Sequence, residues 1–261
     1  MSAEVVERVR RSSRYRDVDE AMLARLATEE LARSRTVDEA VKRVKRRLHQ
    51  AVGAFRAGAA RSAAPSGDPD GLRAAALAAM RRHASTRERV PHLDRFHAGI
   101  WEHTGLPGSV LDLGCGLHPL SLPWMGIGDA SYTALDVDGR ALDTVRTFLD
   151  GWQQPHRVEP RDLVADPATE PADVALLLKL VTTLDRQDPG AADRVLAGLR
   201  VRHTVVSFAA RSLGGRGGGR EAAYRQRLER LVAASGRVHA VAEASVPGEL
   251  VFILHLEPVG D

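Results

Sequence analysis

Residues Val110–Leu120 read VLDLGCGLHPL, and this stretch decides how the chain folds. Its short apolar run leads directly into a Gly-x-Gly turn, and the next apolar run, YTALD, ends in the acidic residue Asp136. In α/β sheets, a turn of this kind presents backbone N–H groups and an open sheet edge to a bound cofactor. The stretch therefore predicts a strand, a cofactor-binding turn and a second parallel strand.

After residue 105, short apolar runs alternate with helical patterns, which is typical of an α/β fold. Seven runs are predicted as strands: VLDLG, YTALD, HRVEPRDL, VALLLKLV, TVVSFA, RVHAVAEA and VFILHLE. With helices between them, the first five predict a parallel twisted sheet, and the last two predict an antiparallel edge. We therefore predict a Rossmann-like seven-stranded domain over residues 106–261 and an all-helical domain over residues 1–105.

The helical domain carries the excess of positive charge. Residues 1–61 contain 15 Lys and Arg against 9 Asp and Glu, whereas the whole chain has a net charge of only +3. An amphipathic helix is predicted after Thr36, with these basic residues on its polar faces: Lys42, Arg43, Lys45, Arg46 and Arg47. Clustered positive charge predicts a polyanionic partner such as nucleic acid; the alternative is an ordinary solvated helix surface.

Composition excludes several classes of protein. Cys115 is the only cysteine among 261 residues, so an intramolecular disulfide and a multi-cysteine zinc site are excluded. No apolar run approaches the roughly 20 residues that span a bilayer, and the N-terminus lacks the apolar core of a signal peptide. We expect a cytoplasmic protein without a metal ion, in which Cys115 packs as a small side chain rather than acting as a nucleophile.

Acidic residues after the glycine turn distinguish between adenosyl cofactors. Leu117-His118-Pro119 replaces the third glycine of a dinucleotide-binding turn, which disfavours a pyrophosphate here. Asp136 ends the second strand, where a carboxylate can bind both ribose hydroxyls, and Asp162 ends the third strand, where it can bind the adenine amino group. Together the carboxylates indicate S-adenosylmethionine; the alternative for each one is capping of a neighbouring helix.

The fourth predicted strand contains LLLKL at Leu176–Leu180, without the Asn/Asp-Pro-Pro-aromatic motif of amine-directed nucleic-acid methyltransferases. Guanine N7 already exposes a lone pair, so the enzyme has mainly to hold it in line with the methyl group. A lysine in an apolar strand must have its charge paired. We therefore place Lys179 at guanine O6 or a flanking phosphate; the alternative is a helix-capping role.

Two further segments are candidates for function. Arg211–Arg220 reads RSLGGRGGGR, whose arginines are suited to phosphate or guanine; the alternative is a surface linker. His83–Val90 reads HASTRERV and lies between two helical patterns. Ser85 and Glu88 have capping-box spacing, so the alternative for these two residues is that they begin the following helix.

With these residues considered, the chain resembles the aminoglycoside-resistance 16S rRNA methyltransferases that modify N7 of guanine 1405. The resemblance spans nearly the whole chain and is carried by HASTRER at His83–Arg89, DLGCGLHPL at Asp112–Leu120, LDVD at Leu135–Asp138, LLLK at Leu176–Lys179 and SFAARSLGGR at Ser207–Arg216. It implies methyl transfer from S-adenosylmethionine to this base in the assembled 30S subunit, with protection against kanamycin- and gentamicin-type drugs. It also implies that the helical domain docks on rRNA, and we expect a monomer.

The resemblance assigns roles to individual residues. It implies a cofactor site made of His83, Ala84, Ser85, Arg89, Gly114, Asp136, Asp162, Leu163, Leu178 and Gln187. In that site Arg89 would bind the methionine carboxylate, so residues 83–89 would close the cofactor pocket from the helical domain. Lys179 and Arg211 match positions near the target base and are the candidate catalytic residues. From the charge of the helix and of the glycine-rich loop, we predict rRNA contacts at Lys45, Arg46, Arg47 and Arg216.

Two positions depart from the family pattern. His118 stands where Asn is expected, which bears on the packing of the turn, and Ala209-Ala210 stand where Pro-Thr is expected, which bears on the target pocket. Two other functions stay open at the level of sequence. One is a methyltransferase that acts on a neighbouring decoding-site adenine or on a small molecule; the other is a non-catalytic 30S-binding assembly factor that keeps the cofactor fold.

Overall fold

The structure of the chain is a computed structural model that describes residues 1–53, 68–209 and 218–258. Within these ranges, seven strands form one sheet: β1 (Ser109–Leu113), β2 (Ser131–Asp136), β3 (His156–Pro160), β4 (Pro171–Leu178), β5 (Arg200–Ala209), β6 (Val238–Ala244) and β7 (Glu249–Leu256). Each strand overlaps a predicted run, although β3 ends at Pro160, before Asp162, and β4 ends at Leu178, before the predicted ends of their runs. The seven-stranded Rossmann-like sheet is thereby confirmed.

The strands have the spatial order β3-β2-β1-β4-β5-β7-β6. Strand β1 pairs in parallel with β2 on one side and with β4 on the other, so the direction of sheet growth reverses at β1. Open α/β sheets bind their ligands at the carboxyl ends of the strands at such a reversal. Strand β7 lies between β5 and β6 and is antiparallel to both, an insertion that the sequence pattern does not reveal.

Helices cover both faces of the sheet and form a separate unit at the N-terminus. That unit, residues 1–53, contains α1 (Ser2–Arg10), α2 (Glu20–Leu31), α3 (Val37–Leu48) and a π-helical turn at His49–Gly53, and we call it the arm. One face of the sheet packs against α4 (Pro69–Arg82), α5 (Leu93–Thr104) and α6 (Gly139–Trp152). The other face packs against α7 (Val181–Gln187), α8 (Ala191–Gly198) and α9 (Gly218–Ser235).

The buried apolar residues of the described ranges form three clusters. Two lie on opposite faces of the sheet, and the third lies within the arm, where Leu23 and Leu48 are fully buried. Phe96 of α5 belongs to a cluster on the sheet, so α4 and α5 share the core of the sheet although they precede residue 105. The domain boundary at residue 105 stays a prediction; the apolar cores divide between α3 and α4.

Local sequence explains where the basic helix α3 begins. Thr36 Oγ1 accepts the backbone N–H of Glu39 at 3.2 Å, and the Glu39 carboxylate accepts the backbone N–H of Arg35 at 3.0 Å. Such capping satisfies donors that the first helical turn leaves free. Apolar residues recur in this segment at three- or four-residue steps, and those from Val41 to Val52 are buried; the next one in the pattern, Phe55, lies outside the described residues. No helix in the described ranges is long and apolar enough to cross a membrane.

Candidate cofactor site

A cavity of about 830 Å³ opens at the carboxyl ends of β1, β2 and β4, beside the reversal in strand order. Small-molecule sites in α/β proteins commonly have this position in the fold. Nine of the predicted site residues line the cavity: His83, Ser85, Gly114, Asp136, Asp162, Leu163, Leu178, Lys179 and Gln187. Ala84 and Arg89 are not among its lining residues, and Arg211 lies outside the described part of the chain.

The glycine turn forms the floor of the cavity and is packed from two sides. Gly114 has φ +61°, and a Cβ at that position would lie 2.6 Å from Leu180 Cδ1. Gly116 has φ +52°, and a Cβ there would lie 3.3 Å from His83 Cε1. Both positions therefore favour glycine because of the backbone conformation, and a Cβ at either one would also displace a neighbouring side chain. The second contact also brings the segment of His83 directly against the turn.

Residues 83–89 do not begin a helix. The Ser85 hydroxyl is hydrogen-bonded to His83 Nδ1 at 2.9 Å, and Glu88 accepts a hydrogen bond from Lys179 Nζ at 2.8 Å. Helix α5 begins only at Leu93, after a 3-10 turn. The capping-box alternative for Ser85 and Glu88 is therefore wrong. Burial lowers the pKa of His83 to about 4, so its imidazole is neutral at pH 7.

The Asp136 carboxylate is fixed by the backbone at the end of β2. Gly116 N–H donates to Oδ2 and Asp138 N–H donates to Oδ1, both at 2.8 Å. Burial and the charge of nearby Asp138 raise the pKa of Asp136 to about 6. Each oxygen keeps a lone pair, so the carboxylate can still accept two hydroxyl groups. Helix α6 is capped by Asp138 instead, which makes the capping alternative for Asp136 wrong.

A buried polar network lies beneath the turn and includes the departure at His118. Asp112 Oδ2 accepts a hydrogen bond from the Tyr132 hydroxyl at 2.7 Å and is 2.9 Å from His118 Nδ1. His118 Nε2 is in turn 3.3 Å from His97 Nε2. The network supports the glycine turn without lining the cavity. Cys115 is buried too; burial and the charges of Asp136 and Asp112 raise the pKa of its thiol, as suits a packing role.

At the far end of the cavity, three residues of the arm join the wall: Met22, Ala51 and Val52. Beside them, the Asp162 carboxylate accepts hydrogen bonds from Arg25 of α2. Gln187 also lines this end, and its Oε1 is buried without a hydrogen-bond partner. The sequence patterns do not predict that residues 1–53 reach the cofactor site.

Lys179 follows the last residue of β4 in a left-handed backbone conformation with φ +60°. Its Nζ lies 3.2 Å from the carbonyl oxygen of Ser85, 2.8 Å from Glu88 and 3.2 Å from Glu249. A lysine at this φ is strained, and such strain is found preferentially at functional sites. Its ammonium group is paired with carboxylates rather than with a helix end, so the helix-capping alternative is wrong.

Glu249 forms ion pairs with both Arg89 and Lys179 beside the cavity. The sequence patterns do not single out this residue. Its carboxylate accepts hydrogen bonds from Arg89 Nε at 2.5 Å and Nη2 at 2.7 Å, and from the Ser207 hydroxyl at 2.8 Å. Although burial alone would raise the pKa of Glu249, the charges of Arg89 and Lys179 hold it below its ordinary value. The guanidinium predicted to bind the methionine carboxylate is thus buried in an ion pair.

The predicted rRNA-binding residues have different environments. Arg46 is exposed and Lys45 is half-buried on α3. Arg47 is directed inward: its guanidinium contacts Glu29, Glu30 and the backbone oxygen of Gln187. An rRNA contact for Arg47 disagrees with this geometry, because its donors are already engaged inside the protein. Arg216 lies outside the described residues.

The residues of the cavity fit S-adenosylmethionine. Fixed carboxylates occur at two strand ends, and the unpartnered Oε1 of Gln187 leaves an acceptor for a ligand N–H or O–H group. Glycines with positive φ keep side chains away from the floor where a ligand would approach. In the described ranges, no group of three or more His, Cys, Asp or Glu residues is arranged to hold a metal ion.

Known proteins resemble this chain along almost its full length. A family model described as "Ribosomal RNA methyltransferase (FmrO)" matches residues 11–253. The chain is 38% identical to the 16S rRNA (guanine(1405)-N(7))-methyltransferase of Micromonospora rosea, over 95% of this chain and 94% of that protein. It is 41% identical to the protein of the same name from Frankia casuarinae, over 96% of this chain and 92% of that protein.

Solved structures agree with the sequence comparison. The 16S rRNA methyltransferase RmtF in complex with S-adenosyl-L-homocysteine has a TM-score of 0.81 and 29% identity, with 98% of each chain covered. The 16S rRNA methylase RmtB has a TM-score of 0.79 and 26% identity, with 98% of this chain and 99% of that chain covered. The resemblance seen in the five motifs is confirmed. The chain belongs to the FmrO family of ribosomal RNA methyltransferases.

Proposed function

We propose that this chain transfers a methyl group from S-adenosylmethionine to N7 of guanine 1405 of 16S rRNA in the assembled 30S subunit. One observation carries the proposal: the glycine turn, the carboxylates Asp136 and Asp162, and Lys179 all line the same cavity. Support also comes from relatives that bear this enzyme name and match more than nine-tenths of the chain.

Different residues of the cavity bind different groups of the cofactor. When bound, S-adenosylmethionine supplies an electrophilic methyl group on its sulfonium. Asp136 accepts hydrogen bonds from the ribose hydroxyls, and Asp162 accepts one from the adenine amino group. Arg89, which the resemblance places at the methionine carboxylate, has Nε and Nη2 on Glu249 and does not line the cavity, so its role in cofactor binding stays a prediction. The segment of His83 and Ser85 covers the glycine turn and excludes water.

Methylation at N7 requires positioning rather than deprotonation, because N7 carries a free lone pair. Lys179 holds its ammonium group between Glu88 and Glu249 at the cavity mouth. From there it contacts guanine O6 or a flanking phosphate and keeps N7 in line with the methyl group. Arg211 acts near the same base. A guanine stacked in a helix must be turned outward before N7 can reach the cavity.

The arm brings the enzyme to its substrate. Its exposed cations, among them Lys42 and Arg46, neutralise rRNA phosphates and release counterions. The enzyme works as a monomer in the cytoplasm, where 30S subunits are found. A methyl group and a positive charge on guanine 1405 then obstruct cationic drugs of the kanamycin and gentamicin type.

The test uses 30S subunits, 50S subunits and protein-free 16S rRNA, each incubated with the enzyme and labelled S-adenosylmethionine. We expect label on 30S subunits alone. Asp136→Ala should lose cofactor affinity and methyl transfer while it still binds 30S subunits. Equal labelling of free rRNA would contradict the assembled subunit as substrate. Binding to 30S subunits without any transfer by the unaltered enzyme would favour the non-catalytic assembly factor.

A further inference from the structure

The adenine end of the cavity is built jointly by the arm and the sheet. Met22 of α2 and Val52 after α3 line it from one side, and Asp162 and Gln187 line it from the other. Side chains of the arm therefore contact the same volume as the residue proposed to bind the adenine amino group. The ion pairs that cross this boundary determine where that carboxylate lies.

Arg25 of α2 contacts Asp162 with two N–H groups. Its Nε donates to Oδ2 at 2.7 Å, and its Nη2 donates to Oδ1 at 3.2 Å. The side chains are 15% and 3% exposed, so water screens the pair only weakly. The backbone N–H of Val164 also donates to Oδ1 at 3.2 Å. A carboxylate accepts about four hydrogen bonds, so one position, on Oδ2, is left for a ligand.

Arg25 is itself held in place by the arm. Its Nη1 donates to Glu29 at 3.1 Å, and the other oxygen of Glu29 is paired with Arg47. Arg47 Nη2 donates to the backbone oxygen of Gln187 at 2.6 Å, and Gln187 Nε2 donates to the backbone oxygen of Arg47 at 3.3 Å. Both polar side chains at the adenine end are thus fixed by one chain of contacts from α2 and α3.

We propose that Arg25 is a positioning residue for the adenine ring of the cofactor. It orients Asp162 so that the remaining lone pair of Oδ2 accepts the 6-amino group, and it makes the arm a structural part of the cofactor site. The inference rests on the proposed function, because it takes adenine as the group next to Asp162. If the ion pair only anchored the arm to the sheet, its loss would weaken binding of every cofactor analogue equally.

The experiment measures discrimination for the 6-amino group by calorimetry. The probes are S-adenosylhomocysteine and its purine analogue, which carries hydrogen in place of the amino group. We expect the unaltered protein to prefer S-adenosylhomocysteine by at least about tenfold, as for loss of a hydrogen bond to a buried charge. In Arg25→Met, the preference should fall below about threefold. A preference that persists while both affinities fall together would overturn the proposal.

Arg140→Met is the matched control, because Arg140 joins α6 to Asp17 of the arm through another ion pair that does not contact Asp162. It should keep the full preference for the amino group. Arg25→Lys covers the case in which Arg25→Met does not fold: it keeps the charge but lacks the rigid planar fork that fixes a carboxylate through two parallel N–H groups, and it should also lose the preference. A full preference in Arg25→Lys would overturn the proposal.

Binding measurements on the unaltered protein distinguish failure of the role proposed for Arg25 from failure of the proposed function. If it binds S-adenosylhomocysteine and the analogue equally well, adenine recognition by Asp162 is wrong and the role of Arg25 is overturned, while methyl transfer is untouched. If it binds neither, the cofactor assignment of the proposed function fails and the positioning role fails with it.

Discussion

Lys179 combines an unfavourable backbone conformation with an ammonium group that is paired with the buried Glu249 and the exposed Glu88. Its φ of +60° costs a non-glycine residue about 1 kcal/mol or more relative to glycine. The pairing with Glu88 and Glu249 offsets that cost in the unaltered enzyme. The strain is therefore best understood as part of the means by which β4 places an ammonium group at the cavity mouth.

Comparison of two variants isolates the strain at Lys179. Lys179→Ala and Lys179→Gly both remove the ammonium group and should abolish most methyl transfer. Only glycine relieves the left-handed backbone, so Lys179→Gly should be more stable than Lys179→Ala by about 1 kcal/mol in urea unfolding. Equal stabilities, or a more stable alanine variant, would show that the backbone at this position is unstrained.

Cofactor affinity should depend on pH through Asp136. Its pKa of about 6 means that the carboxylate that accepts ribose hydroxyls becomes protonated as the pH falls. The dissociation constant of S-adenosylhomocysteine should rise about tenfold between pH 7 and pH 5. His83 has a pKa of about 4 and stays neutral over this interval. In Asp136→Asn, which does not titrate, calorimetry should show weaker binding without this pH dependence; the same dependence in that variant would contradict the assignment.

At the scale of elements, strand β7 shows where sequence patterns stop being informative. The short apolar run VFILHLE predicts a strand, but pairing of β7 with β5 is a long-range event that local sequence does not encode. That register places Glu249 opposite Ala209 and beside Ser207, at the end of β5 near the cavity. An acidic residue after a glycine is an ordinary turn signal, so Glu249 could not be recognised without the pairing.

Neutralisation of Glu249 tests how much its ion pairs with Arg89 and Lys179 contribute to stability and to methyl transfer. Glu249→Gln leaves Arg89 and Lys179 without their shared buried counter-charge, which should cost about 3 kcal/mol of stability and most of the methyl transfer. The control is Glu243→Gln on the neighbouring strand β6, where the pair with Arg225 is exposed and should contribute less than about 1 kcal/mol. Equal losses in urea unfolding would contradict a special role for Glu249.

The cofactor-binding residues of the sheet domain can be predicted from sequence, whereas those of the arm cannot. The glycine turn and the two strand-end aspartates are recognisable because their roles depend on neighbours close in sequence or on parallel strands with fixed polarity. Arg25, by contrast, stands four residues before Glu29 and has the spacing of a common surface pair on a helix. Only the packing of the arm against the sheet shows that it binds Asp162.

At the scale of the whole molecule, the arm has two different surfaces. One faces the cavity and carries Arg25 and Arg47 in internal ion pairs. The other is exposed and basic, with Lys42 and Arg46 one helical turn apart on α3. Charge counting along the sequence cannot separate these surfaces, so it groups the internally paired Arg47 with the exposed basic residues.

Reversal of the exposed charges should affect rRNA docking alone. The double variant Lys42→Glu, Arg46→Glu should weaken 30S binding and lower the slope of log affinity against log salt by about 1 to 2. Its affinity for S-adenosylhomocysteine should be unchanged. The matched double variant Arg200→Glu, Arg230→Glu reverses two exposed arginines of the sheet domain and should retain the slope. An unchanged slope in the arm variant would mean that this face of α3 does not contact rRNA.

We propose that the cavity built by the arm and the sheet serves to transfer a methyl group to one base of 16S rRNA. The most direct measurement treats 30S subunits with the enzyme and S-adenosylmethionine and then maps 7-methylguanine in 16S rRNA by chemical cleavage and primer extension. A single new cleavage at guanine 1405, absent with Asp136→Ala, is the predicted result. Methylation at a neighbouring adenine, at another guanine, or at guanine 1405 with undiminished yield in Asp136→Ala would contradict it.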